Sequence, residues 1–284
     1  MLAPDGFRYI DIHTHLHPER LFRAIRRWFA EHSDWRFDSP TEPELVAAFL
    51  RDRGVERFVY FSYAHKAGIA REINAWLHGV RLRVPDGIPL GTIHPDDPDL
   101  MEAVDEALLG YGFHGFKFHI NVQRFFPDDP RVLPVYQRLL DLDRLLLIHV
   151  GTAPWPNGFD GYPRFERVMD MFPNLKVVVA HMGSFETRRF FGLMERCPNL
   201  YLDTTMAFAP IRHEHRKIDT RLNRISVRND DLLRWQDRIV FGSDFPNLPY
   251  PYEEERDALW LRDLPPAVYR KIFHDNAATL LGLP

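Results

Sequence analysis

Eight short stretches of this chain are rich in β-branched and aromatic residues. They are FRYIDIH (7–13), VERFVYFS (55–62), IPLGTIH (88–94), HGFKFHI (114–120), RLLLIHV (144–150), LKVVVAH (175–181), LYLDTT (200–205) and RIVFGSD (238–244). Several are apolar almost throughout, the pattern expected of parallel strands covered on both faces. Between them the period changes to three and four. TEPELVAAFLRDRG opens on a Thr cap, carries Pro and Glu in its first turn and stops at Gly54. DPDLMEAVDEALLGYG, DDPRVLPVYQRLLDLD, YPRFERVMDMFPN, SFETRRFFGLMERCPN and the last stretch, PPAVYRKIFHDNAATLLGL, read as amphipathic helices. Pro134 falls in a first turn, where it costs little.

Successive strand ends lie 22 to 48 residues apart, room each time for a loop, a helix and a return. Eight such units predict a (β/α)8 TIM barrel over 1–284, as a single domain. An open doubly wound sheet is the second choice. It would ordinarily place a Gly-rich phosphate turn after the first strand, and here that turn reads HTHLHPERL. Two connections are long, 16–40 after strand 1 and 206–224 after strand 7. In a barrel both lie at the C-terminal mouth, where long loops serve as lids or pocket walls.

Composition removes several function classes. The net charge is −4 and the basic residues are scattered, so no nucleic-acid partner is expected. No run of about 18 apolar residues predicts a membrane span, and the N-terminal text lacks the basic start and apolar core of a signal peptide. A cytoplasmic enzyme fits. The single cysteine, Cys197, allows no intrachain disulfide. The sequence holds no GxSxG, P-loop or paired CxxC.

The unusual count is histidine, at 14. His13 and His15 are two apart on strand 1 and so share a face. His149 ends strand 5, His181 ends strand 6 and Asp244 ends strand 8. Imidazole and carboxylate suit Zn²⁺ and similar divalent ions, which lower the pKa of a bound water to around 7. A histidine left over beside the ion can move protons. Each piece is weak alone; the specificity lies in their order along the strands.

That order, with DIHTHLHP, GFKFHINVQRFFPDDP, LLLIHVG, FPNLKVVVAHMG, NLYLDTT, RIVFGSDFPNLPY and IFHDNAATLLGL, resembles the amidohydrolase superfamily. The text is closest to its second family, which includes the amino-carboxymuconate-semialdehyde and resorcylate decarboxylases. The resemblance implies one divalent metal, zinc by preference and manganese as the alternative, on His13, His15, His149 and Asp244. It implies catalytic roles for Asp244 and His181, and it admits a homo-oligomer such as a dimer. Lys117 and His119 share parity on strand 4. Lys117 has three readings: a substrate-binding cation, a carbamylated bridge between two metals, or a structural partner of a carboxylate such as Asp203. In the binuclear case His149 and His181 would hold the second ion. His119, Arg124 and Trp155 are further candidates for a substrate pocket. His65 and His94 stand after strands 2 and 3, between a pocket and a loop reading. His17 lies past the strand end, and RHEH (212–215) reads as a solvated loop. Asp11 shares the inward parity of His13 and is expected to support the site or pair with Lys117.

The first functional expectation is a metal-dependent hydrolase acting on an amide, lactone or ester of a small, carboxylated substrate. A decarboxylase or hydratase on the same scaffold is the alternative, and a noncatalytic small-molecule-binding barrel the third.

Overall fold

The computed structural model describes residues 6–33, 35, 37–152, 158–159, 161–209 and 227–283. Eight parallel strands form its centre: β1 (Tyr9–His15), β2 (Val55–Phe61), β3 (Gly87–Pro89), β4 (Gly115–His119), β5 (Leu145–His149), β6 (Lys176–Val179), β7 (Leu200–Asp203) and β8 (Ile239–Val240). Their order is β1-β2-β3 in one sheet and β4 to β8 in the other. Parallel bridges join the two at both seams, Gly91 to Phe116 and Thr14 to Phe245, so the strand order is circular. Backbone bonds run along each seam, from Lys117 N to Gly91 O (2.9 Å) and from Asp244 N to His13 O (2.8 Å). This is the (β/α)8 barrel.

Helices separate the strands: α1 (Glu19–His32) and α2 (Pro43–Arg51) before β2, α3 (Ala70–Arg81) before β3, and α4 (Leu100–Asp105) before β4. Then come α5 (Ile120–Gln123) and α6 (Leu133–Asp141), α7 (Tyr162–Met171), α8 (Thr187–Met194) and α9 (Asn229–Arg234), each group ahead of the next strand. The chain finishes with α10 (Tyr252–Trp260), α11 (Pro266–Arg270) and α12 (Asn276–Leu281). Pro134 does sit in the first turn of α6. The cap of α2 is Glu42, with Pro43 as its first helical residue, rather than the expected Thr41. None of the described helices is long and apolar enough to cross a membrane.

Alternation along the strands sorts the apolar residues into two clusters. Leu146, Ile148, Phe116, Phe118, Val177 and Val179 face the helices. Leu145, Leu147, Val59, Phe61, Val178 and Val240 fill the barrel, together with Ala277, Ala278, Leu280 and Leu281 of α12. The inner parity leads directly to the mouth: above Leu145 and Leu147 stands His149.

The stretch after β1 is not the expected loop. It holds the 14-residue α1, whose apolar residues recur at helical spacing (Leu21, Phe22, Ile25, Phe29).

Candidate active site

β1 does not keep the simple alternation of its sequence. Asp11 pairs with Phe58 and Thr14 with Tyr60, three steps on β1 against two on β2. The extra residue is a bulge, which re-aims side chains at the end of a strand. Ile10 and Ile12 therefore belong to the inner cluster, while His13 and His15 still face the mouth. Asp11 corrects the expected inward parity and pairing with Lys117, while it still supports the strand that carries His13. It turns outward, where it accepts hydrogen bonds from Ser243 Oγ (2.6 Å) and from Tyr252 OH on α10 (3.0 Å), and it does not pair with Lys117. Its oxygen also accepts the backbone N–H groups of His13 and Ser243 (both 3.1 Å), tying β1 to the chain beyond β8.

His13 Nε2 and His15 Nε2 converge on one oxygen, Asp244 Oδ1, at 3.0 and 2.8 Å. One donor atom from each of these residues falls within 4.8 Å of the others. The opposite face of His13 identifies its tautomer. Asp203 Oδ1 accepts the backbone N–H groups of His181 (2.8 Å) and Thr205 (3.2 Å), and Oδ2 lies 2.7 Å from His13 Nδ1. A carboxylate engaged in this way accepts a hydrogen bond from Nδ1–H, so the ring proton sits on Nδ1 and Nε2 keeps a bare lone pair. A lone pair facing a carboxylate oxygen at 3.0 Å repels it, unless a cation lies between them. The donor set thus fits a divalent ion. Burial holds His13 and His15 well below the usual histidine pKa, in the neutral form that coordinates. It pushes Asp244 up, against the pull of His13.

Close approach is a condition of this arrangement. A Cβ on Gly242 would stand 2.7 Å from His13 Cβ and 2.7 Å from Thr205 Oγ1. Beyond it Asp244 takes a left-handed φ of 73°, and His181, Met182 and Ser184 on the other side of the mouth take φ of 58°, 51° and 53°. Non-glycine residues hold such angles only where the surroundings enforce them.

His149 lines the same mouth but lies outside the three-residue cluster. Its ring stacks on His119 with centroids 4.2 Å apart and planes 7° apart, and it meets His181 edge-on at 4.7 Å. His181 Nδ1 lies 3.2 Å from Thr205 O, an acceptor, so its proton is on Nδ1 and Nε2 is bare. Lys117 points inward as parity requires. Its ammonium lies 4.8 Å over the ring of Phe61, fully buried and without a hydrogen-bond partner among the described residues. Burial pushes its pKa down to about 7, against the attraction of Asp203 and Asp244. It does not line the cavity. His17 is buried, bonded through Nδ1 to Ser62 Oγ at 2.7 Å.

The cavity measures about 500 Å³. Its polar floor is His13, His15, His119, His149, His181 and Asp244; its apolar wall is largely Leu21, Ile25, Trp28, Phe29 and Trp35, from α1 and the segment after it. Ala24, Tyr63, Asn121, Val122, Met206 and Asn247 also line it, and Tyr63 OH meets His15 Nδ1 at 3.0 Å. His65 lines it and His94 does not. Arg124 is exposed at the end of α5, away from the lining. Trp155 and the RHEH stretch lie outside the described residues. Sequence reasoning missed Asp203 as the partner of His13, although its inward parity on β7 signals it. It also missed Tyr63 and Asn247; the pocket wall expected from 16–40 is there, but it is built by the helix α1, whose period was present in the text.

The amidohydrolase family model matches residues 10–283. No curated protein matches the chain. Among solved structures it is similar to an uncharacterized TIM-barrel protein of Bordetella bronchiseptica, with 20% identity over 97% of this chain and 99% of that one and a TM-score of 0.71. It is similar to 5-carboxyvanillate decarboxylase of Novosphingobium aromaticivorans, complexed with manganese and 4-hydroxy-3-methoxy-5-nitrobenzoic acid (16% identity, 99% and 98% covered, TM-score 0.69). It is also similar to 2,6-dihydroxybenzoate decarboxylase from Rhizobium (18% identity, 97% and 99% covered, TM-score 0.66). At such identities the solved structures speak for the barrel alone. The family match is of another kind, because it runs from the second residue of β1 to the end of the described chain and spans every strand end that carries the site: the chain belongs to the amidohydrolase family.

Proposed function

We propose that this protein is a metal-dependent decarboxylase of small aromatic carboxylic acids. One observation carries the reading: the His13, His15 and Asp244 donors form the floor of a cavity of about 500 Å³ walled by Trp28, Phe29 and Trp35. A planar ring fits such a wall, and its carboxylate would point at an ion held by those donors. The two similar decarboxylases, which act on ring carboxylates, support it.

His13, His15 and Asp244 would hold Mn²⁺ or Zn²⁺, with His149 beside them, and both ions suit a nitrogen and oxygen donor set. When bound, the ion supplies positive charge that orients and polarises an acidic substrate. The wall excludes water from the ring. Decarboxylation then requires one proton at the ring carbon that bears the carboxylate. The bond to the carboxylate carbon breaks, its electron pair returns to the ring, and CO₂ leaves. Two residues can handle that proton. Asp244 stands in the donor cluster, and burial pushes its pKa up against the pull of His13. His181 offers its bare Nε2 to take a proton from solvent and pass it on.

The test is metal content and CO₂ release. Protein purified without a metal-affinity tag, and its His13→Ala variant, would be loaded with Mn²⁺ or Zn²⁺, counted by elemental analysis and given a panel of benzoates. CO₂ release that needs the metal and vanishes in His13→Ala supports the reading. Turnover of lactones, esters or amides with no CO₂ from any ring acid overturns it.

Hydrolysis is the second reading, and one observation favours it. An unpartnered Lys117 amine held near neutrality can take up CO₂ as a carbamate and so become a further ligand. Two metals per chain, reduced in Lys117→Ala, would support that arrangement.

A further inference from the structure

Outside the His13, His15 and Asp244 cluster and proton transfer by His181, the polar side chains lining the cavity are Tyr63, His65, His119, Asn121, His149 and Asn247. Tyr63 OH meets His15 Nδ1, and Asn121 and His149 have partners of their own. His65 is exposed. His119 also has a buried nitrogen, Nδ1, without a hydrogen-bond partner among the described residues, but its ring is stacked face to face on His149. Asn247 remains. It is only 7% exposed, it lines the cavity, and its Oδ1 has no hydrogen-bond partner among the described residues.

Its place is fixed by the turn that carries Asp244. The N–H of Asn247 donates to the C=O of Asp244 at 2.9 Å, and Asp244 itself has a φ of 73°. The turn brings residues three apart onto one cavity. Phe245, between them, points the other way and stacks on Phe49 of α2 with centroids 4.5 Å apart. A buried acceptor oxygen is costly to leave unpaired, so the Oδ1 of Asn247 in the cavity wall is open to a donor that a ligand brings.

We propose that Asn247 is a specificity-determining residue, whose side-chain amide hydrogen-bonds a neutral hydroxyl on the ring of the substrate. The inference rests on the aromatic-acid reading of the cavity. A carboxamide carries no charge and both donates and accepts, which matches a phenol hydroxyl. It matches a second carboxylate poorly, and the described residues lining the cavity include no lysine or arginine to neutralise one. A site built around a hydrogen bond rejects the analogue that lacks the group, because its own polar atom is then left unpaired.

The test uses the Mn²⁺-loaded protein and the variants Asn247→Leu and Asn247→Asp. Benzoate, its three monohydroxy isomers and isophthalate are titrated by calorimetry, with metal content measured in every sample. For any isomer that turns over, KM replaces Kd. The expected result is one hydroxybenzoate that binds the wild type about 10-fold more tightly than benzoate. That ratio falls towards one in Asn247→Leu. It survives in Asn247→Asp, where an acceptor remains and the added charge weakens all the acids alike. A ratio unchanged in Asn247→Leu overturns the assignment while leaving the aromatic-acid reading intact. So does a wild type that prefers isophthalate to every hydroxybenzoate. If none of the benzoates binds the metal-loaded protein, the aromatic-acid reading fails and this inference fails with it.

Discussion

Replacing Asp203 by asparagine removes a charge and keeps the shape. Asp203 is fully buried and accepts three hydrogen bonds, from His13 Nδ1 through one oxygen and from the backbone of His181 and Thr205 through the other. An amide has one acceptor oxygen. Turned one way, its NH₂ faces His13 Nδ1 and drives the ring proton to Nε2, where it blocks the ion. Turned the other way, the NH₂ faces two backbone N–H groups, and the turn that carries His181 loses its anchor. Either way one charge-assisted bond is lost, on the order of 1.5–3 kcal/mol. Partners of metal-bound histidines typically change metal affinity by about 10- to 100-fold, an energy of similar size. Competition against a chromogenic chelator would measure the Mn²⁺ and Zn²⁺ dissociation constants of wild type and Asp203→Asn, with thermal unfolding as a check on the fold. A variant that folds and binds both metals within about twofold of wild type would refute the claim that Asp203 sets the His13 tautomer.

Three further outcomes follow from the same geometry. Gly242→Ala places a methyl 2.7 Å from His13 Cβ, in contact with backbone-linked atoms that cannot swing away; denaturant unfolding should show a loss of about 1–3 kcal/mol, together with weaker metal binding. His181→Asn should retain metal by elemental analysis yet lose about 10²- to 10⁴-fold in turnover. Lys117→Met removes a buried amine whose pKa drops on folding from 10.5 to about 7. The unfolded state then binds the extra proton between those values, so wild-type stability should rise with pH from about 7 towards 10.5, and Lys117→Met should lose that rise and be more stable at neutral pH. Parallel stability profiles for the two proteins would sink that argument.

The barrel was readable because a strand buried on both faces has no alternative to apolar text, and because the barrel gathers strand ends at one mouth. His13, His15, His149, His181 and Asp244 could be placed at that mouth from their positions at strand ends alone. The helix α1 was also written in the sequence, as Leu21, Phe22, Ile25 and Phe29, but the length of the connection after β1 argued for a loop. Asp11 could not have been placed this way. Its parity matches that of His13, and the inserted residue that turns it outward leaves no trace in residue types, because the bulge is a matter of register against β2.

What the sequence by itself determined is the inventory and its order: which strands carry imidazoles, which end in a carboxylate, and that both kinds of donor reach one rim. Local pattern suffices for this, since period and burial are encoded residue by residue. Tertiary structure alone decided the rest. Asp203 meets His13 across 190 positions, and Asp244 meets His15 across 229. The wall of α1 closes over them, Lys117 lies beneath the lining rather than in it, and Asn247 lines the cavity with an Oδ1 that has no partner among the described residues. These are contacts between distant segments, and their distances depend on how the seams of the barrel close, which no neighbouring residues specify.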